Sequence, residues 1–192
     1  MLDDTFLERL SQLSKRQQSL FCVAILQRMS PNYLLFCEST EFAGAEGFDK
    51  YLRLFWEALL YPKTKFNAPV HQERFQELIP DPEQFDSYGV YPALDCCVVA
   101  ECLFASLSEA TGEEAEQASQ TSMGAVLGFL SLLREEQDES KLLDEELVLE
   151  EQAFQRQLLD DLELLVDNLD NLKELRNFAL NQGVSNLGIS LD

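Results

Sequence analysis

The stretch Lys15-Arg16-Gln17-Gln18-Ser19-Leu20-Phe21-Cys22-Val23-Ala24-Ile25-Leu26-Gln27-Arg28-Met29 decides the fold class. At 3.6 residues per turn, Leu20, Val23, Ala24 and Gln27 fall on one side of a helix, and Phe21, Ile25 and Met29 on another. A helix that is apolar on more than one face belongs at the centre of a bundle. Ser30-Pro31 follows and reads as a cap with a proline at the first helical position, which ends this helix and starts a short one over Asn32–Ser39.

Helical spacing continues in both directions. Upstream, Phe6, Leu7, Leu10 and Leu13 mark a helix over Asp3–Leu13, with Asp3 and Asp4 at its positive end. Downstream, Gly44–Gly47 reads as a loop. A helix over Asp49–Tyr61 then turns Leu52, Phe55, Trp56, Leu59 and Leu60 inward, and Pro62 stops it. Asn67 and Pro69 open a shorter helix ending near Ile79. Pro80–Pro92 is irregular, and a strongly apolar helix covers Ala93–Leu107 before the break at Thr111-Gly112. In the next helix, Glu113–Glu136, Gly124 and Gly128 form a GxxxG pair that reads as close helix packing. Beyond it Phe154, Leu158, Leu162, Leu165, Leu169 and Leu172 recur at intervals of three and four. A kink or cap is expected within Asp167–Asn171, and Gly183 sits just past the last helix. The reading is all-α: a compact single domain over residues 1–192, built as a bundle of about seven to nine helices. Residues 140–182 form an acidic helical third, and residues 183–192 a docked tail carrying Leu187 and Ile189.

Charge narrows the function classes. The 192 residues hold 35 acids against 14 bases, a net of −21. Residues 1–100 carry 14 acids and 9 bases, and residues 101–192 carry 21 acids and 5 bases, so the second part holds −16 of the total. Such a field repels phosphate, so neither direct nucleic-acid binding nor docking on anionic lipid is expected. Basic partners are favoured instead. Cys22, Cys37, Cys96, Cys97 and Cys102 are odd in number, lack a CxxC spacing and sit in apolar helical contexts, which points to a reducing compartment. Met1-Leu2-Asp3-Asp4 has no basic leader, and no stretch reads as a membrane span. The expected location is the cytoplasm.

Three segments are distinctive: Pro31-Asn32-Tyr33 with Phe36-Cys37, Thr40 and Phe42; Phe85-Asp86-Ser87-Tyr88-Gly89-Val90-Tyr91-Pro92-Ala93 with Asp95 and Cys97; and Gly183-Val184-Ser185-Asn186-Leu187-Gly188-Ile189. Together they resemble the YjaG-like family, small proteobacterial proteins classed as a domain of unknown function. The resemblance spans almost the whole chain. It implies a cytoplasmic helical protein of a gram-negative bacterium and implies no activity.

Motifs for nucleotide, zinc-protease and serine-hydrolase chemistry are absent from the sequence. His71 is the sole histidine, and its spacing to Phe75 and Leu78 makes it a packed side chain rather than a base. Cys96 and Cys97 stand near a helix start, where a dipole lowers a thiol pKa, but they point about 100° apart and at most one is expected to be exposed. No catalytic, cofactor or metal ligand is assigned. The leading reading is a non-catalytic interaction module that uses an acidic surface, Glu145, Glu146, Glu150 and Glu151, to take a basic protein. The alternative is a small-molecule binder or enzyme beside the Phe85–Asp95 loop, using Asp86, Tyr88, Tyr91 and Asp95, with Ser185 and Asn186 of the tail. The sequence selects no oligomeric state.

Overall fold

In the computed structural model, which describes residues 2–61, 63–108 and 112–191, Ser14 opens one long helix, α2 (Lys15–Thr40). Its start is a capping box: Ser14 Oγ accepts from the Gln17 amide, and the Gln17 side chain accepts from the Ser14 amide. Every residue from Gln18 to Tyr33 is buried. The two shorter helices expected on either side of Pro31 are therefore one. Pro31 lacks the N–H that would reach the Gln27 carbonyl. Ser30 Oγ donates to that same carbonyl at 2.7 Å, so the helix passes through the proline without a stranded acceptor.

The other helices wrap α2. They are α1 (Asp4–Gln12), α3 (Ala45–Leu60), α4 (Ala68–Phe75), α5 (Val90–Ser108), α6 (Glu114–Arg134), α7 (Glu146–Glu163) and α8 (Leu169–Leu180). The all-α bundle holds, with eight α-helices among the described residues. Several boundaries differ from the sequence reading. Helix α3 begins at Ala45, so Gly47 lies within its first turn against Leu78 rather than in a loop. Helix α4 stops at Phe75, and a 3-10 turn over Gln76–Leu78 completes that segment. Asn168 caps α8 by accepting from the Asn171 amide at 2.9 Å, which separates α7 from α8 where a cap was expected. Pro62 and Thr111, read as helix breakers, lie outside the described residues.

Helix α2 packs against α3, α5, α6, α7 and α8, most extensively against α5. The main core closes around it, with Phe48, Phe55, Trp56, Phe75 and Phe104 among its largest members. A second cluster, with Val126, Leu130, Leu142 and Val148, lies beneath the tail and is closed by Leu187. Helices α2 and α5 are long and apolar enough to cross a bilayer, contrary to the reading that no segment is. In this fold that apolarity faces protein: 83% of the α2 window and 61% of the α5 window are buried. The leucine stripe of the last third packs onto the core, Phe154, Leu158, Leu162 and Leu172 all being buried.

The GxxxG pair is not a helix crossing. A Cβ at Gly124 would meet nothing within 4 Å, and one at Gly128 would meet only the Tyr88 hydroxyl, at 3.4 Å. Gly128 makes room for a phenol rather than for a helix.

Candidate functional site

The sequence nominates one loop, one tail and one acidic surface, and the fold separates them. In the loop, Phe85 turns back onto the core, edge-on to Phe36 at 4.9 Å and to Phe42 at 5.9 Å. Tyr88 is half-buried, 5.8 Å from Tyr91 and 6.4 Å from Phe129 between ring centroids. Tyr91 and Asp86 are exposed. Asp95, in α5, is half-buried, and its carboxylate meets no hydrogen-bond donor among the described residues. Loss of solvent raises its pKa to about 6. Burial also raises the Tyr88 phenol, and the nearby Asp95 carboxylate adds to that rise.

Ser185 and Asn186 belong elsewhere. Both are buried. Ser185 Oγ accepts from the Leu187 and Ile189 amides, each at 3.1 Å, folding the tail over Gly188, whose φ is +74°. Asn186 accepts from Asn32 Nδ2 at 2.8 Å and donates to the Ser122 carbonyl and hydroxyl at 3.1 Å. Its partners are on α2 and α6, not on the Tyr88 loop.

From Ser122 the network reaches Glu151, which corrects the acidic surface. Glu151 is fully buried, not solvent-facing. One carboxylate oxygen accepts from Arg28 Nε at 2.8 Å; the other accepts from Ser122 Oγ and Gln155 Nε2, both at 2.7 Å. Arg28 is itself 4% exposed, and its guanidinium lies 4.3 Å over the Phe154 ring. A buried ion pair of this kind requires every remaining lone pair to be satisfied, and the hydroxyl and amide donors do that for Glu151. The spacing held the signal: Val148, Glu151, Gln155, Leu158 and Leu162 recur at three and four on the inward face of α7. The adjacent Glu150 hid it, because an acidic doublet reads as a solvated face. Glu146 and Glu150 are exposed as expected, whereas Glu145 is held by Arg134 at 2.8 Å.

Neither cysteine of the Cys96-Cys97 pair is activated. Cys96 donates to the Met29 carbonyl, and burial pushes both thiols up instead of the helix start pulling one down. His71 stacks on Phe66 at 4.8 Å and stands edge-on to Tyr51 at 5.9 Å, and burial lowers its pKa. No group of three or more metal-ligating side chains converges among the described residues.

A groove of about 540 Å³ runs along α5, between α4 and the start of α6. Leu94, Cys97, Val98, Cys102 and Ala105 form its floor, with Ile79 at one side. From Leu94 to Ala105 is about three helical turns, or about 16 Å. Glu101, Glu113 and Glu114 line it. Glu113 is exposed, Glu101 is half-buried and accepts from the Gln72 and Gln76 side chains, and Glu114 is buried and accepts from the Gly112 amide. No lysine or arginine lines the groove among the described residues. The sequence reading missed this groove because its two walls are distant in the chain.

These features can be set against known proteins. A family model described as "Protein of unknown function (DUF416)" matches residues 5–190. The chain belongs to the DUF416 family. It is 35% identical to the uncharacterized protein YjaG of Escherichia coli strain K12, over 98% of each chain. It is 34% identical to YjaG of Salmonella typhimurium, over 99% of this chain and 98% of that one. An uncharacterized protein of Haemophilus influenzae is 34% identical over 95% of each. A crystal structure of a DUF416 family protein from Shewanella baltica superposes with a TM-score of 0.90 at 33% identity, covering 99% of this chain and all of that one. The resemblance drawn from the three sequence segments thus holds, as does the helical fold.

Proposed function

We propose that this DUF416 protein is a non-catalytic interaction module that seats a basic, amphipathic helical segment of a partner protein in the groove along α5. The observation that carries the reading is the pairing of an apolar floor three turns long with the carboxylates of exposed Glu113 and half-buried Glu101 at its edge, with no lysine or arginine lining it among the described residues. Helix-in-groove binding uses such a floor for apolar anchors at i, i+3, i+4 and i+7. The rim selects lysine and arginine on the segment's flanks, and the −21 field steers the encounter. Much of the remaining acidic surface is already engaged: Arg9 holds Asp160 and Glu163, Arg16 holds Asp167, and Lys141 holds Glu136. Glu146 and Glu150 remain exposed and contribute to steering. The five buried, unpaired thiols support a cytoplasmic location.

The test is affinity capture from bacterial lysate at low and high salt, comparing wild type with the Val98→Arg/Glu101→Lys double variant. The expected result is a basic protein held by wild type at low salt, released at high salt, absent from the variant, and bound again when the two purified proteins are mixed. The same eluate from variant and wild type, or an empty eluate from both, would overturn the reading.

One observation favours a second reading. Asp95 is a half-buried carboxylate that meets no hydrogen-bond donor among the described residues, beside the Tyr88 phenol. That arrangement supports a small cationic or hydrogen-bonding ligand at the Tyr88–Asp95 face. Line broadening of Tyr88 in a ligand screen, lost in Asp95→Asn, is the result this reading expects.

A further inference from the structure

A second groove, also of about 540 Å³, opens where α2, α7 and α8 meet the turn after α8. Arg28, Phe154, Phe178, Gln157 and Asn181 line it, with Glu150 beside them. Arg28 stands out. Its side chain is 5% exposed, and Glu151 takes only Nε. The two terminal nitrogens, carrying four N–H donors, meet no protein acceptor among the described residues, and this groove is the space they border. Neither terminal nitrogen is sealed in the core, since the buried side-chain atoms left without a partner among the described residues are Gln18 Oε1 and Asn32 Oδ1. The Arg28 N–H groups open into the groove, where a ligand can take them in place of water. The remaining fork of the guanidinium has the geometry that grips a carboxylate through two parallel hydrogen bonds.

The rest of the groove narrows the class. Arg28 lies on one face of Phe154, and Phe178 stacks against that ring at 4.8 Å and 5°. Phe178 is only half-buried, so the groove offers aromatic surface to an apolar body. Glu151 already balances the arginine charge, and Glu150 adds another negative charge at the groove. That field opposes any anion, so the ligand is held by the directed Arg28 hydrogen bonds rather than by net attraction, and a phosphate dianion would meet twice the opposition that a monocarboxylate does. The turn that closes the groove holds Asn181 and Gln182 at φ of +44° and +56°, a conformation that non-glycine residues adopt at some cost.

We infer that the Arg28 groove is a binding site for a small monocarboxylate with an aromatic or otherwise apolar body, the carboxylate on the free guanidinium donors and the body against Phe178. This site is separate from the α5 groove and does not depend on the partner proposed there.

The probe is benzoate, with neutral benzamide as its isosteric control, followed by saturation-transfer NMR on the full chain. Benzoate is expected to bind at least tenfold more tightly than benzamide. Binding is expected to vanish in Arg28→Met/Glu151→Leu, which removes both charges together and leaves neither buried alone. If that variant does not fold, Ala153→Trp decides: Ala153 is exposed at the groove, and a large side chain there fills it without touching the network. Loss of benzoate binding in Ala153→Trp supports the site. Equal binding of benzoate and benzamide, or benzoate binding undiminished in Ala153→Trp or in a folded Arg28→Met/Glu151→Leu, overturns it.

Discussion

The Ser30 hydroxyl donates to the Gln27 carbonyl at 2.7 Å, and this is the carbonyl that Pro31 cannot reach. The bond lets a single helix cross the middle of the protein. Ser30→Ala leaves a buried acceptor unmet and is expected to cost about 1–3 kcal/mol in urea unfolding. In a Pro31→Ala background the restored amide serves the same carbonyl, and the loss should be clearly smaller. A double-mutant cycle measures that coupling. Equal losses in both backgrounds would show that the hydroxyl does not substitute for the missing amide.

Removing one member of the Arg28–Glu151 pair strands the other in the core. Glu151→Leu alone is expected to cost about 3–5 kcal/mol, and Arg28→Met/Glu151→Leu distinctly less. Chemical unfolding of the three variants checks the order. A double variant as unstable as the single one would contradict it.

Asp95 makes a pH-dependent contribution with a defined sign. Its pKa in the fold, about 6, lies above its ordinary value of 3.8, so the folded protein binds the proton more tightly than the unfolded chain. Stability from this group is therefore lost as pH rises from about 4 to about 6. Asp95→Asn should match wild type near pH 4 and exceed it at pH 7 by on the order of 1 kcal/mol, after allowance for partial exposure. Unfolding midpoints across that range give the difference. A gap independent of pH would exclude the carboxylate as its source.

Two glycine substitutions should move in opposite directions. At Gly124 a Cβ meets open space inside a helix, and Gly124→Ala is expected to stabilise by about 0.5–1 kcal/mol. At Gly44 a Cβ would collide with the Tyr33 hydroxyl, which is buried and donates to the Leu78 carbonyl. Gly44→Ala should therefore lower the melting temperature. A loss at Gly124 would reinstate the close helix packing that its GxxxG spacing suggests.

The tail is held by polar bonds as well as by Leu187. Asn186→Ala removes the link between Asn32 and Ser122 and is expected to cost about 2 kcal/mol. Hydrogen exchange at the Leu187 and Ile189 amides should accelerate more than at α5 amides. Uniform acceleration would mean that the tail does not open on its own.

The helical class, the central place of the 15–29 segment, the cap near Asn168 and the docking of Leu187 were legible in the sequence. They follow from local rules: helical periodicity, capping chemistry and the need to cover apolar side chains. The passage of α2 through Pro31 was not, because it depends on a hydroxyl bonding within a buried environment that no propensity records. Gly128 likewise reads as a helix contact until Tyr88, forty residues upstream, is placed against it.

Glu151 marks the same boundary most sharply. In sequence it is one acid among 35, next to Glu150, and charge alone places both in water. The turn of α7 sends Glu150 outward and Glu151 inward, where Arg28 from 123 residues earlier meets it. The α5 groove and the Arg28 groove are also products of assembly, since each gathers walls from helices far apart in the chain. Periodicity and charge along the chain determined which segments are helices and how acidic the protein is. Only tertiary structure decided which carboxylate is buried and which faces stay open, because the energy of a charge depends on what surrounds it in space rather than on its neighbours in sequence.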